Sequence, residues 1–334
     1  MLKRPLLSIP TSALTAAVAV ASFSLSAQVA ANETLTLYTS QPNSDAQQTV
    51  DAFEAAYPDI EVEWVRDGTT RLMTRLRSEL SAGVSNPDVL LIADSMTMES
   101  LKQEGHLQPY LSDERQAYDA DLYDPEGYYY GTKLITTGIV YNTGAEHQPQ
   151  SWQDLLGPDY EGLVTMPSPL YSGAALIHMA AISANPELGA EYYDALHDNR
   201  TEAQGGNGGV FNAVAAGTKP YGIVVDFLPI REAAKGSPVE FVFPEEGVSA
   251  VTEPVAIMQG AENVDAAQKF VDFVLSQQGQ ELVSQQGYLP AHNDVTPPEG
   301  FPERDSITLM PVDTEQALAQ EEELKQRFSD LFGG

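Results

Sequence analysis

An α/β fold of two doubly wound lobes joined by a two-strand hinge is predicted by three observations on these 334 residues. Short apolar strands alternate with amphipathic helices, the order that yields parallel sheets covered on both faces. A long apolar strand, Lys133 to Tyr141, divides one run of such units from a second, and a later strand from Val251 leads back. Several strands end in small polar or acidic residues, at the edge where open α/β sheets hold ligands.

Residues 1–31 come first and read as an export signal. Lys3 and Arg4 give a positive start, Ala13 to Val29 is apolar with small residues, and Val29-Ala30-Ala31 suits a signal peptidase. Pro10, Thr11 and Ser12 interrupt the segment, so it falls short of the roughly 20 apolar residues of a membrane span. The chain has no cysteine, which excludes a lipid anchor at the cleavage point, disulfides and thiol catalysis. A soluble periplasmic protein starting near Asn32 is expected. Two of the 17 Lys and Arg and none of the 48 Asp and Glu lie before residue 32, leaving 15 bases against 48 acids, a formal charge of −33. Such a surface repels nucleic acid and anionic lipid.

The first lobe opens with an alternating strand from Glu33 to Tyr38, a helix from Ser44 to Tyr57 with Val50, Phe53 and Ala56 on one face, and a strand from Ile60 to Val65. Leu72, Met73, Leu76 and Leu80 mark a helix over 70–80, and Asp88 to Ala93 is a short buried strand. The second lobe places a strand at Leu163 to Met166, helices at about 172–183 and 188–197, and a glycine loop, Gly205 to Gly209, that opens a helix through Ala216. The strand Tyr221 to Val225 ends in Asp226-Phe227. Helices follow at 265–275, 279–286 and 314–332, the last with Asp313 and Gln316 at capping spacing and Leu318, Leu324 and Phe328 on one side. The expected division is a signal, 1–31, a discontinuous lobe 1, 32–135 and 254–334, and lobe 2, 136–253, with the hinge in Thr136 to Tyr141 and Val251 to Val255.

Over nearly all of the mature length the chain resembles the periplasmic solute-binding proteins of ABC transporters, in the branch that holds ferric-iron binders and binders of phosphonate or phosphorylated compounds. The resemblance lies in Leu35-Thr36-Leu37-Tyr38-Thr39, Glu63-Trp64-Val65-Arg66-Asp67, Asn86-Pro87-Asp88-Val89, Ile139-Val140-Tyr141-Asn142, Ser151-Trp152-Gln153-Asp154-Leu155, Met166-Pro167-Ser168-Pro169, Gly236-Ser237-Pro238-Val239 and Ala267 through Phe273. No one stretch is a strong motif, but their order and spacing are specific. The resemblance implies the two-lobed type II periplasmic-binding-protein fold, a small-molecule ligand in the cleft, and docking of the closed form on a membrane permease. A monomer without cofactor is expected.

The cargo is read from residues at strand and helix ends. Hydroxyls and first-turn N–H groups can hold a phosphate or phosphonate, and this chain offers Thr39, Ser40, Thr69, Thr70, Thr137, Ser168, Ser172 and Gly173. Any one of these serines and threonines is more often an ordinary helix cap; their convergence from both lobes points to binding. Asp226, directly after an apolar strand, is the candidate for an ammonium or hydroxyl at the ligand's other end, with Asp94 a weaker counterpart, and either can equally cap a turn. The glycine loop Gly205 to Gly209 can present amides to an anion, as tight loops before helices do, but it matches neither the phosphate-loop nor the dinucleotide spacing, and most such loops are only turns. A small zwitterion such as an amine-bearing phosphonate fits this set. Ferric iron is the alternative: it wants phenolate and carboxylate oxygens. The iron-binding relatives carry two adjacent tyrosines where Asp226-Phe227 stands, and an arginine where Thr136 and Thr137 stand. Tyr192-Tyr193 and Tyr128-Tyr129-Tyr130 read as packing, and no metal ligand is assigned.

An enzyme is not expected. The sequence lacks Gly-x-Ser-x-Gly, His-Glu-x-x-His and phosphate-loop motifs, and its five histidines, His106, His147, His178, His197 and His292, show no ligand spacing. A structural or interaction protein outside transport is the alternative of another class.

Overall fold

The structure, a computed structural model, describes residues 1–2, 33–84 and 87–333. The expected export signal lies, beyond its first two residues, outside the described residues. In chain order the elements are β1 (Glu33–Thr39), α1 (Asn43–Ala56), β2 (Ile60–Arg66), α2 (Thr69–Ala82), β3 (Val89–Leu91), α3 (Ser95–Gln103), β4 (Leu107–Gln108), β5 (Tyr130–Gly131) and β6 (Lys133–Asn142). There follow β7 (Val164–Pro167), α4 (Gly173–Ala184), α5 (Tyr192–Asp198), β8 (Glu202–Gln204), α6 (Asn207–Ala215), β9 (Tyr221–Val225), α7 (Phe227–Ala234), β10 (Val239–Val242) and β11 (Ser249–Val251). The chain closes with β12 (Pro254–Met258), α8 (Val264–Leu275), α9 (Gln277–Gln285), β13 (Leu289–Pro290) and α10 (Thr314–Phe332).

The first sheet runs β2-β1-β3-β12-β4, with β5 beside β12. β1 pairs in parallel with β2 and β3, as two strand-helix-strand units require, while the returning β12 is antiparallel to β3. Phe53 of α1 packs edge-on against Phe270 and Phe273 of α8, at centroid distances of 5.0 and 5.6 Å, and fills one face of this sheet. Leu72, Met73 and Leu76 of α2 cover the other. α2 stops at Gly83, whose φ of +63° is a left-handed cap that glycine adopts without strain. The second sheet runs β10-β6-β9-β7-β8, parallel among β7, β8 and β9. Trp152, Tyr192 and Tyr193 are buried in its core, and the Tyr192 hydroxyl donates to the Trp152 carbonyl at 2.8 Å.

Two boundaries differ from the sequence reading. The chain passes from the first sheet to the second at Thr132, where N–H groups of Thr132 and Lys133 donate to the Thr252 carbonyl at 3.0 and 3.2 Å, and it returns at Thr252 and Glu253. Thr136 to Tyr141 is interior to the second sheet, paired with β9 on one side and with β10 and β11 on the other. The apolar run is long because β6 continues past the crossing. The closing helix α10, expected in lobe 1, buries Ala317, Leu324 and Phe328 in the cluster of Tyr192, Tyr193 and Leu196. Its approach is fixed by Thr308 and Met310, which bond the backbone of Val248 in lobe 2. Periodicity gives a helix an apolar face but does not say which lobe receives it.

Candidate functional site

Between the lobes lies a cleft of about 510 Å³ at the carboxyl ends of the parallel strands, within the usual range for small-ligand sites. Lobe 1 contributes Ser40 after β1, Arg66 at the end of β2, Ala93 after β3 and the start of α2 at Gly68 and Thr69. Lobe 2 contributes Tyr171, Ser172 and Gly173 at the start of α4, the glycine loop Gly205–Gly209, and Val225, Phe227 and Leu228. Ile135, Glu253 and Tyr288 lie at the hinge side.

Helices α2, α4 and α6 begin on this cleft, beside the starts of α1 at Pro42 and α7 at Phe227. Ser172 caps α4 by accepting from Ala175 N at 3.3 Å, but α2 and α6 begin at Gly68 and Gly206 with no side-chain cap. Uncapped first-turn N–H groups are orphan donors at the positive end of a helix dipole and favour an anion. Arg66 adds a cation. Its Nε donates to the Gln41 carbonyl at 2.8 Å, Nη1 to the Tyr171 hydroxyl at 3.2 Å and Nη2 to the Ser40 carbonyl at 3.4 Å. Three of the five guanidinium N–H groups are thereby engaged and two remain.

The lobes meet over the cleft through Tyr171. Besides the Arg66 contact, the Arg71 guanidinium lies 5.1 Å from the Tyr171 ring centroid, and Thr70 Oγ1 donates to the Pro169 carbonyl at 3.4 Å. A Cβ on Gly68 would stand 2.5 Å from the Tyr171 carbonyl oxygen, so glycine there allows this closed arrangement. At the floor, buried Lys133 and Glu253 pair at 2.6 Å, and Gln41 Nε2 donates to the same Glu253 oxygen at 3.3 Å. Lys133 Nζ also sits 4.2 Å over the Tyr288 ring, whose hydroxyl donates to Asp45 at 2.5 Å. Asp45 of lobe 1 pairs in turn with Arg231 of α7 at 3.1 Å.

Of the ten residues chosen from sequence, Ser40, Thr69, Ser172 and Gly173 line the cleft. The other six stand off it. Thr39 accepts from Gln41 N, and Thr137 is a buried ladder residue of β6. Ser168 accepts from Leu170 N, and Thr70 turns to Pro169. Asp94 caps α3 through Thr97 N at 2.5 Å, and burial raises its pKa. Asp226 is wholly buried: its carboxylate accepts from N and Oγ1 of Thr136 at 2.9 and 2.7 Å and from Phe227 N at 2.7 Å. Burial pushes its pKa up to about 7 against those donors. Capping thus takes up several of the polar side chains at strand ends.

Sequence reasoning missed Arg66, Tyr171, Glu253 and Tyr288, and took the glycine loop for a turn. Arg66 had a signal, a base closing a parallel strand in a chain of 17 bases and 48 acids. Tyr171, Glu253 and Tyr288 had none, because their place depends on how the lobes approach. Among the described residues no group of three His, Cys, Asp or Glu is placed to hold a metal ion, and no helix is long and apolar enough to cross a membrane.

Residues 85–318 match the profile of a family described as bacterial extracellular solute-binding protein. A protein of Sinorhizobium fredii named as an ABC transporter periplasmic-binding protein is 26% identical over 72% of this chain and 69% of its own. One of Salmonella typhimurium, named as a 2-aminoethylphosphonate-binding periplasmic protein, is 27% identical over 76% of each chain. Among solved structures, the periplasmic binding protein AfuA of Actinobacillus pleuropneumoniae, with fructose-6-phosphate bound, superposes at a TM-score of 0.81 with 23% identity, covering 90% of this chain and 98% of its own. Ferric-binding proteins share the fold as well.

Proposed function

Because the chain belongs to the bacterial extracellular solute-binding proteins, which serve ABC importers from the periplasm, we propose that its cleft captures a small solute bearing a phosphate or phosphonate group. The observation that carries this is the meeting of Arg66 with two uncapped helix starts, α2 from one lobe and α6 from the other. Anionic oxygens there accept charge-assisted hydrogen bonds from both lobes at once. The solute therefore interacts more strongly with the closed than the open arrangement, and raises the closed population by that difference. The closed form is what a membrane permease receives. A relative named as a 2-aminoethylphosphonate-binding protein supports a phosphonate cargo, while another relative is named as an iron uptake protein.

Iron has weaker support here. Phe227, a side chain without oxygen, lines the cleft where the iron binders' tyrosines are expected. The Tyr288 phenol is spent on Asp45, and burial holds its pKa well above the ordinary value, against phenolate formation. Thermal unfolding with methylphosphonate, 2-aminoethylphosphonate, glucose 6-phosphate, phenyl phosphate and ferric citrate separates the readings. A bound compound at 100 times its dissociation constant adds about 2.7 kcal/mol. Stabilisation by at least one phosphorus compound is expected; stabilisation by ferric citrate alone, with a visible phenolate band, would overturn the proposal.

A further inference from the structure

Away from Arg66 the cleft wall changes character. Ile135, Val225, Phe227, Leu228 and the Tyr288 ring form it, with Phe227 and Tyr288 at a centroid distance of 4.2 Å and 37° between their planes. Most polar groups beside this wall are already engaged. The Tyr288 hydroxyl donates to Asp45, and Glu253 takes Lys133 and Gln41 on one oxygen, Oε2, which leaves Oε1 as a single acceptor at the hinge side. Asn207 is used at both ends, its Nδ2 donating to Ser172 Oγ at 3.2 Å and its Oδ1 accepting from Val225 N at 3.2 Å.

We infer that the captured solute carries its phosphate or phosphonate on a flat apolar body, an aryl or heteroaryl group, and not on a polyol; this rests on the anion reading of the same site. The several hydroxyls of a sugar brought against this wall give up water and find a single free acceptor, Glu253 Oε1, which costs affinity. A ring face instead meets Phe227, Tyr288 and aliphatic carbon, and loses nothing by desolvation. The Arg66 end fixes the anion, and the wall chooses what the anion is attached to.

Calorimetric titration of the mature chain with phenyl phosphate, glucose 6-phosphate and inorganic phosphate tests this. Phenyl phosphate is expected to bind at least tenfold more tightly than either other compound. In Leu228→Ser, at a half-buried position of the wall, its advantage over inorganic phosphate should shrink by about threefold or more. Glucose 6-phosphate binding as tightly as phenyl phosphate, or more so, overturns the inference and leaves the anion reading standing. So does phenyl phosphate binding no better than inorganic phosphate. Silence from all three overturns both.

Discussion

At the mouth of the cleft, Arg66 and the glycine-led starts of α2 and α6 keep hydrogen-bond donors without side-chain partners, whereas at the floor Lys133, Glu253, Gln41, Asp45, Arg231 and Tyr288 pair with one another. Both regions concentrate charge between the same two lobes. They differ in what answers their charges: the mouth needs a ligand, and the floor's charges pair within the fold, leaving Gln41 Oε1 without a hydrogen-bond partner among the described residues. Substitutions should therefore separate, those at the mouth changing affinity and those at the floor changing stability.

The largest effect belongs to the floor. Lys133 and Glu253 are 1% and 3% exposed, so Lys133→Met strands a buried carboxylate with only Gln41 for a partner. Unfolding in urea should show a loss of about 3–5 kcal/mol. Adding Glu253→Gln removes the stranded charge and should restore most of it. A loss below about 1 kcal/mol in the single variant would mean that the pair is wetted and the floor is not self-contained.

Arg66→Ala is the matching test at the mouth. It removes charge-assisted bonds to the ligand, each worth about 1.5–3 kcal/mol, so phenyl phosphate should bind about 100-fold more weakly by calorimetry. Its contacts to Gln41, Ser40 and Tyr171 lie at a half-buried rim, so stability without ligand should move by less than about 1 kcal/mol. Equal losses in both quantities would erase the distinction between mouth and floor.

The same distinction explains what the sequence disclosed. Strand and helix order was legible from apolar periodicity, and so was the edge at which the cleft lies. Asp94, Asp226 and Ser172 were legible as polar residues at element ends, but a side chain that caps its own helix and one that waits for a ligand have the same sequence signature. Gly68 was overlooked, and the loop that holds Gly206, though able to present amides to an anion, reads as a turn, because their contribution is the lack of a side chain, which leaves the N–H groups of α2 and α6 uncovered. The floor was invisible for another reason: Lys133 and Glu253 are 120 positions apart in sequence, and Asp45 and Arg231 are 186 apart.

A smaller effect extends the comparison to two buried groups of the second lobe. His178 on α4 has Nδ1 3.1 Å from Ser249 Oγ and its ring 4.6 Å from Trp152, and Nε2 has no partner among the described residues. Burial pushes its pKa down to about 3 from 6.5. The folded state therefore holds the neutral ring, a contribution fully present above pH 6.5 and lost toward pH 3, by at most about 1.4 kcal/mol per pH unit. Asp226 acts in the opposite sense: with its pKa raised to about 7, its contribution is present below pH 4 and lost as pH rises toward 7. Between pH 4 and 6.5 the two slopes oppose, so the intact protein masks both. His178→Leu should gain on the parent as pH falls through this window, and Asp226→Asn should gain on it as pH rises, in urea unfolding at half-unit steps. Parallel curves for all three proteins would mean that neither group is held in its buried ionisation state.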